Sequence, residues 1–164
     1  MALQSLEDLF LHDIKDLYNA ENQILKALPR MAKKASSPEL RRAFEQHLKQ
    51  TEAQVKRLER VFGTLDEKPK GKTCKGMQGL IEEGKEMLSE DIEDDVLDAA
   101  LIAAAQKVEH YEIAAYGTAR TYAEMLGNDE AARLLQQTLD EEGETDKKLT
   151  KLAESVVNLE AVEA

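Results

Sequence analysis

The apolar residues of this chain recur at three- and four-residue intervals through four long stretches, and only three prolines interrupt them. That period is the period of the α-helix, and few folds accept four such stripes of this length. In the first stretch Leu6, Leu9, Phe10, Ile14, Leu17, Ile24, Leu25, Leu28 and Met31 define the stripe, with Ser5 and Asp8 placed to cap its start. It is expected to be helical over about 5–35, kinked or shortened at Pro29. Ser37 and Pro38 then supply a cap and a favoured first helical residue for a second helix over 38–62. A Lys-, Gly- and Pro-rich segment follows and reads as an exposed connection, with a short helix expected over 77–88. Two more long helices are expected over 94–126 and 129–157, divided by Gly127 and Asn128, and the acidic end after Asn158 is expected to fray.

The first and second helices, like the third and fourth, are joined by turns of two or three residues, so each pair is an antiparallel hairpin. The link of about thirty residues between the pairs is long enough to run the height of a bundle. The expected fold is all-α, one ferritin-like domain over 1–164, with an up-down-down-up four-helix bundle and a long crossover carrying the short extra helix.

Charge and cysteine content narrow the partners. With 33 acidic against 22 basic residues the formal charge is −11, which disfavours direct binding to nucleic acid or to an anionic membrane surface. The single Cys74 cannot form an intramolecular disulfide, and neither a signal-peptide pattern nor a membrane-length apolar run is seen. The chain reads as cytoplasmic.

Several polar residues fall on the inward stripes. Glu21 shares its face with Leu17, Ile24, Leu25 and Leu28; Glu109 and Glu112 lie one turn apart in the third long helix; Glu142 follows Leu135 and Thr138 and precedes Asp146 and Leu149. Counting from the turns, Glu112 lies fifteen residues before Gly127 and Glu142 fifteen after it. Glu21 lies about as far before the first turn as Gln50 and Gln54 lie after it. All four helices therefore bring polar groups to one level, ~22 Å from the turns, and one turn higher Glu109 and Asp146 match again.

Four carboxylates cannot remain charged together in a low-dielectric core without cations. Two divalent ions would neutralise the charge of Glu21, Glu109, Glu112 and Glu142. Gln50, Gln54 and Asp146 are further candidate ligands, and the mostly oxygen donor set suits iron, with manganese or zinc as substitutes. Tyr18, His47 and Tyr116 stand within a turn of these groups as candidate hydrogen-bond partners, although His47 is also a possible ligand. His12 and His110 point elsewhere. Gly143, beside Glu142, costs helix stability and either permits a close approach or a π-bulge or is simply tolerated.

The stretch from Ala99 to Ala114, which includes Glu109-His110-Tyr111-Glu112, resembles the YciF/YciE-type stress-protein family of the ferritin-like superfamily. So do Tyr18-Asn19-Ala20-Glu21, His47-Leu48 with Thr51, Gly79-Leu80-Ile81-Glu82-Glu83, and Leu139-Asp140-Glu141-Glu142 with Asp146. The resemblance covers essentially the whole chain. It implies a homodimer of four-helix bundles, a rubrerythrin-like di-iron centre and expression in bacteria under stress, without implying one established reaction. Glu21, Glu109, Glu112 and Glu142 match the superfamily's carboxylate ligands. The Glu-x-x-His pair of that superfamily is missing from the second helix, where Gln50, Thr51 and Gln54 stand, and from the fourth.

Two functions are compatible with these residues. One is a di-iron protein that oxidises Fe(II) or reduces dioxygen or peroxide, as a ferroxidase or peroxide-reducing oxidoreductase. The other is a non-catalytic dimeric structural or interaction protein with a vestigial or adventitious metal site. The homodimer is also suggested by Leu6, Phe10 and Leu17, which offer more apolar surface than one bundle core needs.

Overall fold

A computed structural model of the protein describes residues 3–164. Its elements are α1 (Leu6–Lys34), α2 (Pro38–Thr64), α3 (Lys75–Met87), α4 (Asp94–Met125), α5 (Asp129–Leu152), a π-helical turn (Ala153–Val157) and α6 (Asn158–Glu163). The starts and stops follow local chemistry. Ser5 accepts from the Asp8 backbone while Asp8 accepts from Ser5, a full capping box. Ser37 caps α2 ahead of Pro38, and Asn128 caps α5 through Ala131. At the end of α4, Gly127 takes φ +70°, and the amides of Gly127 and Asn128 return to the carbonyls of Glu124 and Ala123. This left-handed stop needs glycine's freedom and lets one tight turn close one helix and open the next.

Cross-links between helices fix their directions. Ser36, at the end of α1, is bound to Asp98 near the start of α4, and Asp16 in α1 is bound to Tyr111 further along α4. Asn128 bonds Thr64, and Arg57 bonds Glu141, so α2 and α5 are antiparallel as well. Around the bundle α1 packs on α2 and α4, and α5 on α2 and α4. With the two hairpins, this gives the expected up-down-down-up order. The crossover helix α3 lies outside, against α1 and α4.

The apolar interior is in two parts. One cluster includes Phe10, Leu17, Leu58, Phe62, Ala123 and Leu135, at the end where α4 turns into α5. The other includes Leu28, Leu40, Phe44, Met77, Leu101 and Leu149, at the end where α1 turns into α2. Phe10 and Leu17 are fully buried within the first cluster, so these two are spent on the chain's own core rather than left as a surface strip. Between the clusters lies a polar layer.

Four local expectations need correction. The helix α1 is not shortened at Pro29 but runs through it as one element, because the bond lost at Pro29 is one of many while Ile24, Leu28 and Ala32 bury the same face on either side. The π-helical turn lies at 153–157, not at Gly143, and the segment after Asn158 is helical as α6. Val157, buried at the joint, anchors that last piece against the second cluster. The connection after α2 is only partly exposed. The Lys72 backbone and side chain bind Lys15 and Asp16, and Cys74 is buried with its amide bound to Asn19.

Candidate metal centre

The polar layer is built from α1, α2, α4 and α5, each contributing from its inward stripe. Glu21, Thr51, Gln54, Glu109, Glu112, Thr138 and Glu142 are all at most 1% exposed, and His47 is 4% exposed. Carboxylates at this depth are rare without partners. One ligand atom from each of His47, Glu109, Glu112 and Glu142 can be chosen so that all lie within 4.8 Å of one another.

The partners that do exist are few. The Tyr116 hydroxyl donates to Glu21 Oε1, and the Gln54 amide donates to Glu142 Oε1. The Gln54 amide also reaches Glu141 Oε2 at 3.2 Å. The nearest guanidinium, Arg57, is already committed. It holds Glu141 in a fork at 2.6 and 2.7 Å and bonds Thr138 Oγ1 at 3.1 Å. Left with no hydrogen-bond partner among the described residues are Glu21 Oε2, both ring nitrogens of His47, Gln54 Oε1, Glu109 Oε2, both oxygens of Glu112 and Glu142 Oε2. His47 Nε2 is 3.1 Å from Glu109 Oε1, but the two are not aligned as a hydrogen bond.

Electrostatics follow from that crowding. Burial, with the Glu142 charge next to it, raises the Glu21 carboxyl to about 8 despite the hydrogen bond from Tyr116. Burial and neighbouring carboxylates push Glu109 and Glu112 well above the ordinary carboxylate range. Burial holds the His47 imidazole below its usual value, so it is a neutral ring with a free lone pair. Such a layer must take up protons or cations. Its orphaned, convergent oxygens and single imidazole nitrogen fit a divalent ion of the iron, manganese or zinc type, whose donors sit at about 2.0–2.2 Å.

The other residues singled out in the sequence separate from this cluster. Gln50 is only partly buried and lines a small recess with His47, Glu109, Thr145 and Lys148, at the edge of the cluster. Asp146 turns outward, accepting from Gln106 at 3.1 Å and facing the exposed His110 at 3.2 Å. One turn from Glu142 it sits near the edge of the same stripe, and these two partners draw its carboxylate away from the interior. Tyr18 also points away: its hydroxyl bonds Glu59 and its ring packs edge-on against Phe62. His47, assigned a supporting place from the sequence, instead stands among the convergent donors. The Arg57–Glu141 pair was not anticipated. The available signal was the position of Arg57 three residues after Gln54 and of Glu141 beside Glu142.

Among proteins of known sequence, Escherichia coli (strain K12) YciF is 48% identical over 162 residues, spanning 98% of each chain. The crystal structure of the E. coli stress protein YciF superposes with a TM-score of 0.91 at 48% identity, over 95% of this chain and 99% of that one. YcfI of Rhodopseudomonas palustris, described only as a candidate structural protein, superposes with a TM-score of 0.88 at 46% identity, over 90% of this chain and 94% of its own. A Xanthomonas campestris protein shares the fold at 21% identity with a TM-score of 0.78 over 98% of this chain and all of its own. The match to the family model described as "Domain of unknown function (DUF892)" runs over residues 5–162, and the chain belongs to that family.

Proposed function

We propose that the protein is a ferritin-like stress protein that binds two divalent metal ions, iron above all, in the polar layer of its bundle. The observation that carries this reading is the set of unpartnered buried atoms on Glu21, His47, Glu109, Glu112, Gln54 and Glu142, none of which is paired with a Lys or Arg among the described residues. A polar layer kept only for packing would have its donors and acceptors matched, since an unmet buried group costs about 1–3 kcal/mol. The stress role rests on the name and 48% identity of the E. coli relative.

In this reading His47, Glu109, Glu112 and Glu142 would hold one ion, and Glu21 would help to hold a second. Iron so placed supplies exchange of electrons with dioxygen or peroxide. The protein's own part is to keep His47 neutral and ready to ligate, to hold Glu21 in place through Tyr116, and to orient Glu142 through Gln54. Tyr116 and Glu21 also form a proton-holding pair beside the ions. No Cys-based redox centre is available in the chain, so electrons would come from a separate donor.

Protein purified aerobically without chelators should carry close to two iron equivalents by elemental analysis, and the variant Glu112→Ala should lose at least one. Metal-free protein that gains neither stability nor bound metal on addition of Fe(II), Mn(II) or Zn(II) would leave the structural alternative in possession.

A further inference from the structure

A recess of about 80 Å³ opens between α1, α3 and α4, and its walls are almost wholly apolar, including Ile24, Leu28, Met31, Ile81, Ala104 and Val108. It exists because the facing residues are small. On the α4 side Ala104 and Ala105 line it, and α3 presents Gly84, where an added Cβ would stop 3.8 Å from the Ala104 Cβ. A void this size has room for about six water-sized groups, but water there would find few polar partners.

The two ends of the recess differ in kind. Its inner end is closed by His47 and Glu109, and Lys26, Arg30 and Lys85 line it at the exposed side. None of these three cations has an ion pair or a side-chain hydrogen bond among the described residues, in a chain whose formal charge is −11. The acidic residues of α3, Glu82, Glu83 and Glu86, are exposed and do not line the recess, and Glu83 is paired with Lys107 at 3.4 Å.

We propose that this recess binds a free medium-chain aliphatic carboxylate, its chain lying along the apolar walls toward His47 and Glu109 and its head group held by Lys26, Arg30 and Lys85. The apolar walls account for the chain, the cations for the anionic head, and the volume for the limit on length. Bound there, the chain screens one side of the polar layer from solvent. The inference does not depend on the metal reading, because the walls and the cations are in place in the metal-free protein.

The test is calorimetric titration of metal-free protein with octanoate and with octanol. Octanoate should bind saturably at one per chain and octanol at least tenfold more weakly. The double variant Lys26→Glu/Arg30→Glu should erase that preference. Gly84→Leu, which fills the recess from a peripheral helix and keeps α3 helical, should abolish binding of both, and Ala104→Phe checks the same wall from α4. Circular dichroism confirms that each variant is folded. Absence of saturable octanoate binding, or undiminished binding by folded Gly84→Leu, overturns the proposal. So does sedimentation with phosphatidylglycerol vesicles by protein that ignores octanoate, which would make the cations a membrane contact.

Discussion

His47 Nε2 and Glu109 Oε1 stand 3.1 Å apart in the bundle interior without forming a hydrogen bond. Two polar atoms on different helices that are close, buried and misaligned are held there by their own backbones, in a group of four residues whose ligand atoms lie within 4.8 Å of one another. His47→Ala should therefore cost at least tenfold in divalent-ion affinity, measured by competition with a chromophoric chelator. The metal-free fold should change little, because the ring has no hydrogen bond to lose.

The metal-free protein should become less stable as pH rises. Glu21 titrates at about 8 in the folded chain, and Glu109 and Glu112 are raised well above their ordinary range, whereas all three are ordinary carboxyls when unfolded. Between the two ranges the folded state holds more protons, so stability is complete below about pH 4.5 and falls as pH climbs through 8. The slope is about 1.4 kcal/mol per pH unit for each proton involved. A divalent ion replaces those protons. Urea midpoints measured from pH 5 to 8, with and without Mn(II), should diverge as pH increases.

Tyr116→Phe tests the one strong donor on Glu21. The hydroxyl is buried and bonded to Glu21 Oε1, and its removal leaves that oxygen without a partner. The expected loss is about 1–3 kcal/mol in the metal-free protein. Because the hydrogen bond opposes the upward shift of Glu21, the pH at which stability declines should also move upward. Nuclear magnetic resonance titration of the Glu21 side chain reads that second effect directly.

Asp98 carries the fold at the other end. It is buried, and its carboxylate accepts from the Ser36 amide at 2.9 Å, the Ser36 hydroxyl at 2.7 Å and the Ser37 amide at 2.6 Å. The turn between α1 and α2 is thus tied to α4. Asp98→Ala should cost about 2–4 kcal/mol by chemical denaturation, since it strands two backbone amides near a helix start. Metal affinity per folded molecule should stay the same.

Much of this was legible in the chain because helices obey a fixed period. Leu17, Glu21, Ile24 and Leu28 share a face by arithmetic, and counting from Gly127 brings Glu112 and Glu142 level. What the count could not resolve was rotation about each helix. Gln50 and Gln54 lie near the same height, but one turn separates a half-exposed side chain from one that is 1% exposed. Asp146 shared a stripe with Glu142 on spacing, yet a carboxylate near the edge of a stripe turns to whichever donors are nearest, here Gln106 and His110. The recess under α3 was invisible, because it depends on how far one alanine-rich face stands from a glycine on another helix.

That rotation decides the last prediction, which concerns the two glutamines of α2. Gln50 lies outside the convergent donors, so Gln50→Glu should leave metal affinity unchanged and stability within about 0.5 kcal/mol. Gln54 is inside: its amide donates to Glu142 and its own oxygen has no partner. Gln54→Glu removes a donor from Glu142 and adds a fifth carboxylate to the layer. Without metal the variant should be destabilised at pH 7 by more than about 1 kcal/mol, since the added group must be protonated or repelled. With Fe(II), supplied anaerobically, the same carboxylate becomes an anionic ligand, and affinity should rise relative to the unmodified protein. Opposite changes in metal-free stability and metal affinity from one substitution would identify position 54 as the place where α2 meets the ions. Changes of the same sign would assign Gln54 to orienting Glu142 alone.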